Sequence, residues 1–109
     1  MLDKTFENYS VSHGTLKTED LTLSLVEFIR INAPDEYKKL NKQDLDIVDL
    51  FKNDVSFEDL SPGRKDAASW FLNEVLFDLL NDIAPENCYF GAHIGDASDF
   101  GFWEYEEEE

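Results

Sequence analysis

Internal disulfides and a membrane-spanning helix are both excluded by what the sequence lacks. It contains a single cysteine, Cys88, so it has no second thiol to pair with. No window approaches the roughly 18 consecutive apolar residues that a membrane-spanning helix needs. No basic segment followed by an apolar run opens the chain, so no secretory signal is predicted. We therefore expect a cytoplasmic protein.

Basic residues are scarce, and they stop early. The chain has 9 Lys and Arg residues against 25 Asp and Glu, and a formal net charge of −16. The last base is Lys65, so residues 66–109 carry 12 acids and no base, a net charge of −12, while residues 1–65 carry 13 acids and all 9 bases, a net charge of −4. Such a field repels nucleic acid and anionic lipid. It favours encounter with a basic surface.

The distribution of charge is more informative than the total. Simple solubility or a halophilic habit is the alternative explanation, because net charge alone governs solubility and association and not fold. Neither needs the bases to be separated from half of the acids. One-sided segregation is typical of a recognition face, here with the sign opposite to that of a nucleic-acid-binding protein.

Apolar periodicity predicts four helices. The first opens at Thr18, which can cap it, and ends before Pro34, since the residue before a proline is disfavoured in the helical region. A short helix over residues 35–40 and a third over residues 42–53 follow. The longest covers residues 64–84 and has one apolar arc. Its expected core stripe consists of Ala68, Leu72, Val75, Leu76, Leu79 and Ile83.

Two aromatic-rich runs within residues 88–105 flank a turn at residues 95–98, which predicts a β-hairpin. Gly91 and Gly101 occupy corresponding places in the two runs. Glycine within a strand usually marks a bulge or the close approach of another backbone or ring. We expect the hairpin to pack across the longest helix and to cover Trp70 and Phe77, which fall among its polar residues. One short strand is predicted within residues 3–16.

The predicted fold class is α+β. With 109 residues, of which 42% are hydrophobic, the chain can form one folded domain. We expect a mainly helical single domain over residues 1–109, with a C-terminal β-hairpin packed on the longest helix. Residues 106–109 are expected to form a flexible acidic tail.

Acidic residues recur every four positions on the longest helix, at Glu74, Asp78 and Asp82. This spacing stacks carboxylates on one helix face, about 6 Å apart along the axis. Such a row is comparable to the phosphates of a nucleic-acid strand, although an ordinary solvated face has the same pattern. The predicted partner-binding acidic face consists of Glu74, Asp78, Asp82, Glu86, Asp96, Asp99, Glu104, Glu106 and Glu107.

Aromatic residues form a second candidate set. Trp103 and Tyr105 are flanked by acids and are candidates for an interface. A homodimer would extend the charged surface and would place one of them in the contact. A second core layer is expected to take up the others, which are Trp70, Phe77, Phe100 and Phe102.

Catalytic and metal-binding patterns are weak. His93, Asp96 and Asp99 could ligate a metal together with Cys88 or His13, but their spacing matches no specific metal motif. Aspartates at these positions fit turn roles better. No activating base is placed beside the cysteine, and the chain has neither a Gly-rich phosphate loop nor a nucleophile elbow. We expect no enzymatic activity, no cofactor and no bound metal.

Both ends of the chain resemble small acidic proteins encoded by phages and other mobile elements. Residues 12–21, SHGTLKTEDL, are similar to a segment that reads roughly SxGTMRPEDL in that group. Residues 89–103, YFGAHIGDASDFGFW, are similar to its shared ending, and Ala84-Pro85-Glu86 precedes that ending in the same way. The sequence departs from the pattern at Lys17-Thr18, Ile94 and Ala97. The group has no assigned activity, so no functional residue carries over. The resemblance implies a mobile-element origin, which favours anti-defence activity in the host cytoplasm.

Two functions follow as hypotheses. The first is an acidic inhibitor that mimics DNA or RNA and blocks the basic nucleic-acid-binding surface of a host defence or regulatory protein, of the anti-CRISPR or anti-restriction type. Its partner is a protein, and neither nucleic acid nor membrane is bound directly. The alternative is a non-catalytic interaction or adaptor module that binds through the Gly-aromatic hairpin, with the charge serving only solubility.

Overall fold

The computed structural model describes residues 2–105 and has an α+β fold, as predicted. A 3-10 turn (Lys4–Phe6) and the first strand precede three helices, α1 (Thr18–Asn32), α2 (Pro34–Tyr37) and α3 (Lys42–Lys52), and a second 3-10 turn (Phe57–Asp59) comes after them. A long helix follows, made of α4 (Pro62–Trp70), a π-helical segment (Phe71–Leu76) and α5 (Phe77–Ile83). The strands are β1 (Tyr9–Ser12), β2 (Cys88–His93) and β3 (Asp96–Glu104). The predicted tail at residues 106–109 lies outside the described residues.

Capping side chains and prolines account for several of the helix ends. α1 starts at Thr18, but the capping position is Lys17 and no side chain caps it, so the expected cap by Thr18 is wrong. α1 stops before Pro34, as predicted. The Asn41 side chain caps α3 by accepting a hydrogen bond from the Asp44 amide at 2.8 Å. Ser61 caps α4, whose first residue is a proline, a position where the missing N–H costs nothing.

The long helix departs from α-helical geometry in its middle. In the π-helical segment Phe71–Leu76 the hydrogen bonds span five residues instead of four, so a turn takes one extra residue. One extra residue rotates all that follows by about 100° relative to an uninterrupted α-helix. The predicted core stripe assumed an uninterrupted α-helix and is therefore only partly right.

The rotation exchanges the expected burial of the neighbouring residues Leu79 and Leu80. Leu79 was expected in the core, but it is only half-buried, whereas Leu80 is fully buried. Phe71 also enters the core with no exposed surface, and Val75 stays half-buried. The remaining members of the predicted stripe are buried, namely Ala68, Leu72, Leu76 and Ile83.

The same rotation separates Trp70 from Phe77. Residues seven apart share a face in an α-helix, but here the π-helical segment lies between them. The Phe77 ring contacts the hairpin, with its centroid 5.2 Å from that of Phe90 and 5.8 Å from that of Phe100. Trp70 remains 64% exposed. The expectation that the hairpin covers both residues is confirmed for Phe77 and wrong for Trp70.

The predicted hairpin is present, but its turn is Ile94-Gly95 and not residues 95–98, because β3 already begins at Asp96. The N-terminal strand adds to the hairpin. The sheet is antiparallel with the order β1-β3-β2, so β3 lies in the centre. The inner face packs on the helices through Phe102, whose ring lies 5.5 Å from those of Phe28 in α1 and Phe90 in β2. The Asn81 side chain of α5 accepts a hydrogen bond from the Phe90 amide at 2.9 Å and so joins the long helix to the outer edge of β2.

Two apolar clusters form the core. The larger joins α1, the long helix and the inner face of the sheet, and the smaller lies beneath α3 and α4. The smaller consists of Ile47, Phe51, Leu60 and Ala68. Within residues 2–105, no helix combines the length and the apolar content that crossing a bilayer requires.

The register shift in the long helix predicts unequal effects of two alanine substitutions. Leu80→Ala removes a fully buried side chain and should lower the free energy of unfolding by about 2–5 kcal/mol. Leu79→Ala, the matched control, should lower it by only about 1 kcal/mol, since Leu79 is half-buried. Urea unfolding followed by circular dichroism measures both. A larger loss for Leu79→Ala would mean that the helix is α-helical throughout.

Candidate binding surface

The acidic row of the long helix faces solvent. Glu74, Asp78 and Asp82 are all exposed. Asp78 and Asp82 lie four residues apart in α5, so their positions differ by about 6 Å along its axis. The π-helical segment places Leu80 in the core between them, which leaves these carboxylates on the side of the helix away from the core. Glu74 lies earlier, within the π-helical segment, and is also exposed.

The acids of the base-free part have no ionic partner among the described residues. Residues 2–105 contain two ion pairs, Glu27 with Arg30 and Glu36 with Lys39, both within residues 27–39. The hydrogen bond from Arg30 lowers the pKa of Glu27. No ion pair of the described chain reaches an acid beyond Lys65. The charge that the sequence concentrates there is therefore not neutralised by the few bases of the same chain.

Glu86 and Glu104 lie together at the open end of the hairpin. Glu104 is paired in register with Cys88, two residues after Glu86, and the Tyr105 amide donates to the Asn87 carbonyl at 2.9 Å. Both carboxylate-bearing residues are exposed. This end therefore carries a second group of acids. The candidates Glu106 and Glu107 follow it in sequence and lie outside the described residues.

Asp96 and Asp99 lie towards the turn end of the hairpin. Along β3, Asp99 is five residues from Glu104, about 17 Å, and Asp96 is eight residues from it, about 26 Å. One Asp96 carboxylate oxygen accepts hydrogen bonds from the Ser98 amide at 3.0 Å and the Ser98 hydroxyl at 2.8 Å, and these lower the pKa of Asp96. Asp99 is half-buried and accepts a hydrogen bond from the Ser10 hydroxyl of β1. The predicted turn role is present for Asp96 and wrong for Asp99, which lies in β3 and binds β1 instead. The predicted acidic face divides into three groups.

Gly91 and Gly101 are paired with each other in the register of β2 and β3. As their positions predicted, a bulky ring and a backbone segment lie close to them. The indole N–H of Trp103 donates to the Gly91 carbonyl at 2.8 Å. A Cβ atom at Gly101 would lie 3.0 Å from the Trp103 ring and 2.1 Å from the backbone oxygen of Tyr9. Trp103 is therefore part of the sheet itself and is only 9% exposed.

The outer face of the sheet carries an aromatic cluster. Side chains alternate between the faces of a strand, so Tyr89 and Trp103 share the face opposite to Phe90 and Phe102. The ring centroids of Tyr89 and Tyr105 lie 5.3 Å apart, and Tyr105 is 62% exposed. Tyr105 was predicted as a candidate interface residue, but Tyr89 was not. Its spacing of two residues from Gly91 could have indicated that it lies on the same face of β2.

The residues considered for metal binding and catalysis do not assemble into a site. Within residues 2–105, no three His, Cys, Asp or Glu side chains gather as metal ligands would. His93 Nδ1 accepts a hydrogen bond from the Gly95 amide at 2.9 Å, and its ring meets that of Trp103 edge to face. Burial raises the pKa of the Cys88 thiol, and the carboxylates of Glu7 and Glu104 act in the same direction.

A cavity of about 590 Å³ lies between α3 and the start of α4. Its lining includes Ile47, Leu50 and Ala67, with Asp46 and Arg64 among its polar residues. Gln43 and Ser61 are the other polar side chains of its lining.

Comparison with known proteins leaves the chain without an identified relative. No family model matches it, and no curated protein or solved structure is significantly similar to it. The resemblance of its two ends to acidic phage proteins stays a prediction. The function is therefore argued from the charges and contacts of the described residues.

Gly101→Ala should destabilise the sheet far more than Gly91→Ala. The new methyl group at position 101 would meet backbone atoms of β1, which cannot rotate away, and we expect a loss of about 2 kcal/mol or more. At position 91 it would meet only the flexible Tyr89 ring, at 3.4 Å. Thermal unfolding of the two variants measures the difference, and equal losses would contradict the close approach of β1.

Cys88 should react slowly with a neutral alkylating reagent such as iodoacetamide. The thiolate is the reactive form, and burial both covers the thiol and raises its pKa. We expect modification of the folded protein to be about tenfold slower or more than in urea at the same pH. Mass spectrometry gives both rates. Fast alkylation of the folded protein would reopen the case for a nucleophilic role.

Proposed function

We propose that this protein is an acidic inhibitor that occupies the basic nucleic-acid-binding surface of another protein, by mimicking the charge of a nucleic acid. One observation carries the proposal. Among the described residues, the acids of the base-free part form no ion pair within the chain, and the row Glu74, Asp78 and Asp82 is exposed on the long helix.

Such a row can meet the Lys and Arg side chains that normally contact phosphates. Repeated positive charges in a nucleic-acid groove pair with regularly spaced anions, whether these are phosphates or carboxylates. Glu86 and Glu104 extend the negative surface to the open end of the hairpin. Nucleic acid is then excluded because both ligands need the same cations.

Electrostatics would set the rate and the salt dependence of binding more than its final strength. Charges at the rim of an interface steer the encounter and raise the association rate, and added salt screens them. We propose a host defence or regulatory protein in the cytoplasm as the target, with anti-CRISPR or anti-restriction activity as the type. The predicted resemblance to mobile-element proteins supports that choice, and no catalytic step is part of it.

The hairpin supports a second candidate, a non-catalytic adaptor module. Ile94 in its turn is 84% exposed and Tyr105 at its open end is 62% exposed. Exposed apolar and aromatic side chains of this kind can anchor a protein partner. In that case binding would depend on the hairpin and would be insensitive to the acidic row.

The first experiment is a pull-down from a defence-competent bacterial lysate with the protein as bait. It is run at low salt and again at roughly 0.5 M salt, where screening acts within about 4–5 Å. Added DNA serves as competitor. We expect a nucleic-acid-binding protein to be retained at low salt and to be released by salt and by DNA. Partners that survive salt and ignore DNA would overturn the proposal and favour the adaptor module.

The retained protein then allows a matched comparison of charge variants. Glu74→Gln, Asp78→Asn and Asp82→Asn together should weaken binding at low salt by about tenfold or more and make its salt dependence shallower. The control neutralises three exposed acids of the base-containing part, Asp46, Asp49 and Asp54, each to Asn. Both variants change the net charge equally. Equal losses would mean that total charge, and not the helical row, drives binding.

A further inference from the structure

The outer face of the sheet contains a small cavity that the acidic surface does not explain. Its volume is about 220 Å³, and its lining runs from Tyr105 at the open end of the hairpin to Ile94 in the turn. Aromatic residues dominate its lining, and Glu104 is its only acid. The lining consists of Asn8, Tyr89, His93, Ile94, Trp103, Glu104 and Tyr105.

The walls are held in place by contacts within the sheet. Trp103 is fixed by its hydrogen bond to the Gly91 carbonyl and by the edge of the His93 ring, whose centroid lies 4.7 Å away. Tyr89 and Tyr105 contact each other with centroids 5.3 Å apart. Tyr105 nevertheless keeps 62% of its surface exposed. The cavity is thus preformed on one side and open to a partner on the other.

We propose that this cavity binds the guanidinium group of an arginine side chain supplied by a basic protein partner. The inference deepens the proposed function and rests on it for the source of the arginine. Aromatic rings attract cations through the negative charge of their faces, and a planar guanidinium can also stack on them. Three aromatic side chains around one cavity, those of Tyr89, Trp103 and Tyr105, suit that group.

The surrounding charge selects the sign of the ligand. Residues 66–105 contain no Lys or Arg, and the imidazole of His93 is the only basic group in the cavity lining, whereas Glu86 and Glu104 lie at the open end of the hairpin. An anionic ligand would be repelled by this field, and a purely apolar one would gain nothing from it. The acidic row would attract a basic surface at long range, and the cavity would fix one arginine at short range.

The test uses a small probe and needs no partner. N-acetylargininamide is titrated into ¹⁵N-labelled protein, and N-acetylcitrullinamide serves as its neutral control of the same shape. We expect saturable shifts of the Trp103 indole N–H and of the Ile94 and Tyr105 amides, with citrulline binding at least about fivefold more weakly. The indole N–H of Trp70, which is 64% exposed on the long helix, is the internal control and should not move.

Two substitutions of the exposed residue Tyr105 distinguish binding by its aromatic ring from binding by the apolar bulk of its side chain. Tyr105→Leu should weaken arginine binding by roughly fivefold, because the aromatic face is lost, whereas Tyr105→Phe should retain it. Neither should disturb the fold, since the Tyr105 side chain is mostly exposed and its backbone bond to Asn87 remains.

Equal binding of arginine and citrulline, or full binding by Tyr105→Leu, would overturn the inference. Shifts spread over Trp70 and the acidic row would do the same, because they would indicate nonspecific attraction. Failure of the proposed function is distinguishable: saturable binding of the probe, with no DNA-sensitive partner in the lysate, would keep the arginine site and remove nucleic-acid mimicry.

Discussion

The π-helical segment Phe71–Leu76 sets the direction in which every later side chain of the long helix points. By adding one residue to a turn, it brings Leu80 into the core and turns Phe77 onto the hairpin, while Trp70 stays in solvent. The exposed acids of α5 then lie away from both contacts. Core packing, docking of the sheet and presentation of the acidic row therefore depend on a single local change in helix geometry.

Sequence patterns predicted the elements well and their exact faces less well. Apolar periodicity and two Ala-Pro pairs located the helices, and the aromatic runs around residues 95–98 located the hairpin. The same periodicity assigned Leu79 and Leu80 to the wrong sides, because a π-helical turn has no signature in the spacing of apolar residues. The pairing of β1 with β3 was also hidden, since strand partners distant in sequence depend on tertiary contacts.

The acidic and aromatic sites were predictable to different degrees. Helical spacing described the positions of Asp78 and Asp82 in α5, whereas Glu74 lies in the π-helical segment, to which that spacing does not apply. The grouping of the other acids could not be predicted from the sequence. It depends on the register that places Glu104 beside Cys88 and on the turn bonds of Asp96. The aromatic cavity likewise needed the register. As proposed, the two surfaces would separate two tasks that many interfaces combine, with long-range attraction on the helix and a short-range anchor on the sheet.

The pairing of β1 with β3 has a consequence for how the chain reaches this fold. Ser10 and Asp99 contact each other across 89 positions, so the central strand of the sheet has both neighbours only when almost all of the described chain is available. Contacts between such distant segments slow folding, and incomplete chains expose apolar surface that promotes association. Residues 1–65, which are synthesised first, carry a net charge of only −4, and residues 66–109 add −12. Charge repulsion would therefore keep incomplete chains apart only late in synthesis.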